Sequence, residues 1–270
     1  MKTLSVLPVR TAGAAENMAL DFLLLQRDPE PAVPRFRHYE WRAAACTFGF
    51  SQKIEFVRAN LPAKALAAEG PLAQPAFDLC RRPTGGGIVD HRTDWTYALS
   101  LPRGHALYDE RAAQSYRIVH ECLAAALGAL GQPAAVKMAC DPVERVAPNA
   151  LVERVAPNAL SGEASWGQAA PPFGICFQRA ELYDVVHPAN GAKIAGAAQK
   201  RNKRGLLFQG SIEKSNVGPV DWDDFAEKFT AGLARAMGTT AQTTPWPELH
   251  EDEVSGLIEQ YASPEWIEYR

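Results

Sequence analysis

Apolar residues between Ala14 and Gln26 fall at Met18, Phe22 and Leu25, with Leu23 and Leu24 alongside, and this spacing predicts a helix with a wide buried stripe. The same period is sustained best from Ala112 through Tyr116, Val119, Leu123 and Leu127 to Leu130, where Gly131 supplies a stop. A third helix is predicted after Asp221, a good N-cap, with Trp222, Phe225, Phe229, Leu233 and Met237 on its buried side and Gly238 at its end. A last one uses Val254, Leu257, Ile258 and Tyr261. Strand formers dominate Arg35 to Gly49 and Trp95 to Leu101, and further strands are expected at Ala135 to Cys140, Ile175 to Phe177, Leu182 to Val186, Lys193 to Gln199 and Leu206 to Ile212. Runs of strands flanked by helices, without strict alternation, predict an α+β chain with a mixed, largely antiparallel sheet.

A chain of 270 residues fits one large domain or two small ones at about 150 residues each, and the continuous run of elements favours one, spanning 1–270. The apolar share of 47% and charged share of 22% describe a soluble globular protein. A net charge of −3 gives no general attraction to nucleic acid or to an anionic membrane. The longest apolar stretch, Cys122 to Leu130, is broken by Gly128 and is far too short to span a bilayer. The first ten residues reach Pro8 and Arg10 before any secretory core develops. Five cysteines, Cys46, Cys80, Cys122, Cys140 and Cys176, show no metal-type spacing, so a reduced, cytoplasmic protein without structural zinc is expected. The nonapeptide Val143–Leu151 recurs identically as Val152–Leu160, inside a Pro-, Gly- and Ala-rich stretch, 141–172, that reads as one long loop.

Three segments carry candidate chemistry. Arg81-Arg82-Pro83-Thr84-Gly85-Gly86-Gly87-Ile88-Val89-Asp90-His91 joins a basic pair to three glycines and a strand ending in histidine. Adjacent glycines allow close backbone approach to a ligand, although a flexible surface turn has the same composition, and the spacing is not that of a nucleotide P-loop. In Lys193-Ile194-Ala195-Gly196-Ala197-Ala198 a lysine opens a strand of small residues, leaving room for a thin apolar group beside an ammonium; an edge strand with a solvated lysine is the plainer reading. Lys200, Arg201, Lys203 and Arg204 then form a basic turn, either a solvated surface or a dock for an acidic protein. Cys176 lies between the long loop and the lysine strand; it is either a small core residue or, if a cation lies close, a thiol poised to ionise.

Taken in order, the Asn17-Met18-Ala19-Leu20-Asp21 helix, the RRPTGGGIVDH turn, the KIAGAAQKR strand followed by Gln209-Gly210-Ser211-Ile212, and Tyr261-Ala262-Ser263-Pro264-Glu265-Trp266 resemble the biotin/lipoate ligase and octanoyltransferase family over residues 17–266. The resemblance implies the biotin/lipoate ligase catalytic fold, similar to class II synthetases, with no accessory domain after it. It also implies attachment of an octanoyl or lipoyl group to a lysine of a lipoyl domain, such as the glycine cleavage H protein or the acyltransferase subunits of 2-oxoacid dehydrogenases. ATP-dependent ligases of this family carry an Asn-Asp pair ahead of the lysine strand that helps hold magnesium, and this chain has Tyr183-Asp184 there. Cys176 ahead of Lys193 is similar to the cysteine-type transferases, which draw the acyl group from acyl carrier protein and need no cofactor. Gly87, where those transferases often carry a bulkier residue, is the ligase-like feature; a ligase would use ATP and Mg. A non-catalytic module that binds lipoyl domains or free lipoate is the remaining alternative.

On the transferase reading Cys176 is the nucleophile and Lys193 its neighbouring cation, with His91 as a possible proton acceptor. Arg82, Gly85, Gly86 and Gly87 border the substrate, Ala195, Gly196 and Ala197 line the acyl tail, and Lys200, Arg201, Lys203 and Arg204 dock the carrier protein.

Overall fold

A computed structural model describes residues 2–61, 77–139 and 179–269. The chain enters as β1 (Thr3–Ala12), α1 (Ala14–Gln26), β2 (Arg35–Trp41), β3 (Ala45–Phe48) and α2 (Ile54–Asn60). Then come β4 (Asp78–Arg81), β5 (Ile88–Asp90), β6 (Asp94–Pro102), the short α3 (Ala106–Asp109), α4 (Ala112–Ala129) and β7 (Ala135–Val136). After the second gap follow β8 (Val185–Val186), β9 (Lys193–Asn202), β10 (Gly205–Glu213), α5 (Trp222–Ala236), β11 (Thr240–Thr243), α6 (Glu251–Ala262) and α7 (Pro264–Ile267).

Eight strands form one sheet in the order β11-β1-β2-β6-β10-β9-β8-β7, parallel at β11-β1-β2 and antiparallel across the rest. A second sheet, β4-β3-β5, has three strands. The α+β class with a mixed, mostly antiparallel sheet is therefore as the sequence predicts.

Period-two alternation on the central strands gives the large sheet two different faces. Trp95, Tyr97, Leu99 and Leu101 of β6, with Leu206, Phe208 and Ile212 of β10, point to one side and bury against Val119, Leu123 and Leu127 of α4 and Phe225, Phe229 and Leu233 of α5. Each such side chain contributes about 1.5–3 kcal/mol when taken fully out of water. The opposite side carries smaller or polar residues, including Thr96 and Ala98 of β6 and Gln209 and Ser211 of β10. Here α1 covers Tyr39, Ala98 and Leu207 with Met18 and Leu25, and Tyr261 of α6 joins the same cluster. Small residues on this face leave a gap beside α1 that the three-stranded sheet roofs.

Where the structure differs from expectation, the reasons are local. Arg35 to Gly49 is not one strand but two, β2 and β3, assigned to different sheets. β1 went unpredicted because Pro8 argues against a strand; its register shifts between Leu7 and Arg10, and that irregularity accommodates the proline. β8 is shorter than expected because Tyr183 takes a left-handed backbone, φ 68°. Cys46 and Cys80 are buried and Cys122 half-buried. The strand expected at Ile175 to Phe177, the 141–172 loop with its duplicated nonapeptide, Cys140 and Cys176 lie outside the described residues.

Candidate active site

Between the two sheets runs a narrow slot with about 490 Å³ of empty space including its mouth. Gly196, Ala197, Ala198, Gln209, Gly210 and Ser211 form its floor, Met18 and Tyr39 one wall, and Thr47, Arg82, Gly86, Val89 and His91 the other, with Lys193 at its edge.

Lys193 opens β9 and is almost wholly buried. Its Nζ sits 2.7 Å from Oδ2 of Asp184, which is itself buried. Oδ1 of that carboxylate accepts the Tyr116 hydroxyl proton, Oδ2 also accepts the Glu181 backbone N–H at 2.7 Å, and the Tyr116 oxygen in turn accepts the Ala197 N–H at 2.9 Å. Burial, and then the Asp184 charge, push the Tyr116 hydroxyl well above its ordinary range, so it remains a neutral donor. The left-handed turn at Tyr183 directs Asp184 inward, a conformation that costs a non-glycine residue on the order of 1 kcal/mol or more. Gly196 completes the fit: a Cβ there would lie 2.6 Å from Lys193 Cε and 2.7 Å from Nζ. The lysine stem lies directly on the glycine backbone.

The glycine turn is braced from beneath. One Arg82 nitrogen, Nη2, donates to the Gly85 and Gly87 carbonyls, each at 2.9 Å, while Nη1 donates to Thr47 Oγ1 at 2.8 Å. Gly86 has φ 88°, and a Cβ on Gly49 would meet the Gly86 carbonyl oxygen at 2.0 Å, so here two main chains touch. Behind the turn, Thr84 donates to Gln209 Oε1 at 2.7 Å, Gln209 Nε2 to Asp21 at 2.6 Å, and Arg37 Nε to Asp21 at 2.7 Å. Burial raises the Asp21 carboxyl, against the pull of Arg37 and of its hydrogen-bond donors.

His91 stands on the roof side. Its Nδ1 is 2.6 Å from Asp94 Oδ2 and its Nε2 2.7 Å from Thr47 Oγ1, and its ring stacks on Trp41 at 4.1 Å. Asp94 Oδ2 also accepts protons from Thr96 and Ser211. Burial works to raise the Asp94 carboxyl, but His91 and the Ser211 and Thr96 hydroxyls together hold it below the usual carboxylate range.

The slot thus gathers Lys193, Gly196, Ala197, Arg82, Gly86 and His91 from the sequence-predicted set. Ala195 is placed elsewhere, on the helix-covered face against Ile212 and Val185. Gly85 and Gly87 meet Arg82 through their carbonyls and are not among the lining residues. Lys203 and Arg204 are exposed on the β9–β10 turn, and Lys200 is half-buried with its ammonium 5.4 Å from the Phe50 ring. Arg201 turns inward, held by the Tyr108 and Leu107 carbonyls and by Ser115. Cys176 is outside the described residues. Sequence reasoning gave no role to Tyr116, Asp94, Thr47 and Ser211, and noted Asp184 only as standing where ligases of the family carry their Asn-Asp pair. Strand alternation could have separated Ala195 from Gly196 and Lys200 from Arg201, but no local pattern announces Asp184 or Tyr116.

The fold and slot define an acyl-group ligase or transferase architecture, and the family description "Lipoyl protein ligase A/B catalytic domain" matches residues 13–216; the chain belongs to this family. Among curated relatives, octanoyltransferase LipM of Symbiobacterium thermophilum is 26% identical over 291 residues, 93% of each chain. Octanoyltransferase LipM of an Exiguobacterium species is 24% identical over 300 residues, 98% of each. In fold the chain is similar to lipoate-protein ligase A bound with ATP, at 15% identity and TM-score 0.64 over 99% of both chains. It is also similar to a Thermoplasma acidophilum bipartite lipoate protein ligase studied with its E2 lipoyl domain, at 15% identity and TM-score 0.65 over 100% of this chain and 98% of that one. Among the described residues no group of three or more His, Cys, Asp or Glu could hold a metal ion, and no helix is long and apolar enough to cross a membrane.

Proposed function

We propose that this protein is an acyltransferase of protein lipoylation that moves an octanoyl group from acyl carrier protein to a lysine of a lipoyl domain through an acyl-enzyme on Cys176. The observation that carries the reading is the buried Lys193 lying on Gly196 at the edge of an apolar slot, in a chain whose curated relatives are octanoyltransferases. In the first half-reaction the Cys176 thiolate attacks the carrier thioester carbonyl, the pantetheine sulfur leaves with its electron pair, and the octanoyl chain stays on Cys176. The Lys193 ammonium stabilises the charge that gathers on the carbonyl oxygen, and the tail runs over Gly196 and Ala198. Eight carbons at about 0.8 kcal/mol per buried methylene give an upper bound of about 6 kcal/mol for selecting the chain. In the second half-reaction the lipoyl-domain amine attacks the same carbonyl. Lys203 and Arg204, exposed on the turn that ends β9, supply positive charge for the acidic carrier.

Gly87 favours a second reading, an ATP-dependent ligase. Its magnesium would lie at the Tyr183-Asp184 position, where the fit is poor: Asp184 already serves Lys193, Tyr116 and the Glu181 amide and offers no idle oxygen to a cation. The test is intact-mass measurement after mixing with octanoyl carrier protein in the absence of ATP. Gain of one octanoyl group, absent in Cys176→Ser, supports transfer. Modification of a lipoyl domain only when ATP and Mg are added supports the ligase, and no modification under either condition supports a binding module.

A further inference from the structure

Lys193 owes its place to Asp184, and Asp184 owes its place to a strained turn. Tyr183, directly ahead of it, has φ 68° and is the only non-glycine residue with a left-handed backbone among those described. Such a conformation persists where the surroundings over-determine it. Here Tyr183 N–H donates to the Lys137 carbonyl at 2.8 Å, and Lys137 N–H donates to the Asp184 carbonyl at 2.9 Å. The Tyr183 carbonyl faces Nδ1 of His120 at 2.7 Å. A carbonyl oxygen can only accept, so Nδ1 carries the imidazole proton. Burial holds the ring otherwise neutral, and His120 is wholly enclosed.

Four residues earlier, on the same face of α4, stands Tyr116. Its hydroxyl donates to Asp184 Oδ1, and its oxygen accepts the Ala197 N–H at 2.9 Å. β8 pairs with β9 only as far as Ala195, and the Tyr116 oxygen takes up the Ala197 amide beyond that point. The two rings pack on one another with centroids 4.2 Å apart, and both lie against Phe208 of β10. Tyr116 therefore ties the carboxylate to the strand that carries Lys193 and Gly196, while His120 ties down the backbone just ahead of that carboxylate. With Asp184 held at both places, the ammonium 2.7 Å from its Oδ2 is kept on the Gly196 backbone.

We infer that Tyr116 and His120 are positioning residues of the site: one turn apart on α4, they hold the Asp184 carboxylate and the Tyr183 turn, and through them the Lys193 ammonium. The inference deepens the transfer reading and rests on it for what the ammonium does. It concerns where the cation sits and is independent of where the acyl group is carried.

The experiment uses the full chain, with octanoyl carrier protein as acyl donor and, separately, acetic anhydride as a probe of Lys193 read by peptide mass. Tyr116→Phe, which removes one oxygen and keeps the ring, is expected to lower the maximal rate of octanoyl uptake roughly 10- to 100-fold with the half-saturating carrier concentration unchanged. His120→Leu is expected to do the same and to make Lys193 acetylate several-fold faster, as the turn relaxes and the carboxylate leaves it. His120→Asn, whose amide nitrogen can stand in for Nδ1, should restore both readouts. Tyr183→Gly added to His120→Leu should restore them too, because glycine takes the left-handed turn without being held. Full uptake by either single variant, a fall that follows weaker carrier affinity, unchanged acetylation in His120→Leu, or a loss that neither rescue restores would overturn the assignment. Failure of the transfer reading shows on the unaltered chain, as no octanoyl uptake, whereas the acetylation arm needs no carrier protein and fails only with this inference.

Discussion

Arg81 and Trp266 hold one another reciprocally: the arginine Nε donates to the Trp266 carbonyl at 3.0 Å, and the indole Nε1 donates to the Arg81 carbonyl at 2.9 Å. The same guanidinium serves the Phe50 and Gln52 carbonyls, each at 2.7 Å, and that of Ile267 at 2.8 Å. One buried side chain thereby ties the strand before the glycine turn to the carboxyl-terminal segment. Arg81→Met should lower stability by about 3 kcal/mol or more, because several backbone acceptors lose a charged donor together. Urea unfolding reports this as a shifted midpoint, and an unmoved midpoint would show that the clamp contributes nothing.

Gly196→Ala, the smallest possible change, should disable the site. The added methyl falls on the Lys193 stem and 3.3 Å from Asp184 Oδ1, so the ammonium must leave its place. Octanoyl uptake from carrier protein is expected to fall roughly 100-fold, with an overpacking cost of about 1–3 kcal/mol. Asp184→Asn should go further in stability, by about 3–5 kcal/mol, since it leaves a buried ammonium without its carboxylate. Normal uptake by Gly196→Ala would mean that the observed seat of Lys193 is not the working one.

On the helix-covered face, Tyr97 is fully buried with no hydrogen-bond partner for its hydroxyl among the described residues, and its ring lies against Gly210, where a Cβ would come within 2.2 Å of it. Tyr97→Phe removes an unsatisfied polar atom and should be neutral or stabilising by up to about 1 kcal/mol. Gly210→Ala should cost about 3 kcal/mol or more at the same spot. Thermal unfolding of the two variants must move in opposite senses, or the first must stay still, for this packing to stand.

Mild acid should weaken the fold through a buried histidine. Burial pushes the His120 imidazole down to about 4, its Nε2 lacks a partner among the described residues, and Nδ1 is held by the Tyr183 carbonyl at 2.7 Å. The unfolded chain takes up a proton near pH 6.5 that the fold refuses, so stability is complete above pH 6.5 and falls between there and pH 4. His38, lowered by burial, acts in the same sense, while Asp21, raised by burial, acts in the opposite one. Urea midpoints at pH 7 and pH 5 should differ by about 2 kcal/mol from His120 alone. His120→Gln, which does not titrate, should shrink the difference.

The basic turn divides by exposure. Charge reversal at Lys203 and Arg204 should slow acylation by carrier protein several-fold and flatten its dependence on salt, leaving stability unchanged. Arg201→Ala should instead destabilise, since its partners are the Tyr108 and Leu107 carbonyls and Ser115. An unchanged salt slope after the double reversal would leave the turn without a docking role.

Helices and the central strands were legible because their apolar period is long and uninterrupted, and Asp221 caps α5 by accepting the Asp223 and Asp224 amides as its residue type suggests. Lys193 stood out because a charged residue precedes a run of small ones. Its partners did not, for Tyr116 fits the apolar stripe of α4 and Asp184 lies just ahead of the two-residue strand β8; only the packing of α4 on the sheet joins residues 68 positions apart. Arg201 looked like its charged neighbours because composition cannot tell which side of a strand faces water. The roof over the slot was hidden for a similar reason, since nothing in Arg35 to Gly49 says that the chain changes sheets midway.

Because Gly49 and Gly86 meet main chain to main chain, the glycine turn on one wall of the slot is seated on polypeptide backbone and not on side-chain rotamers. Rotation of a single side chain cannot lift such a hinge-pin from its seat, so this part of the wall keeps its place while the side chains around it move.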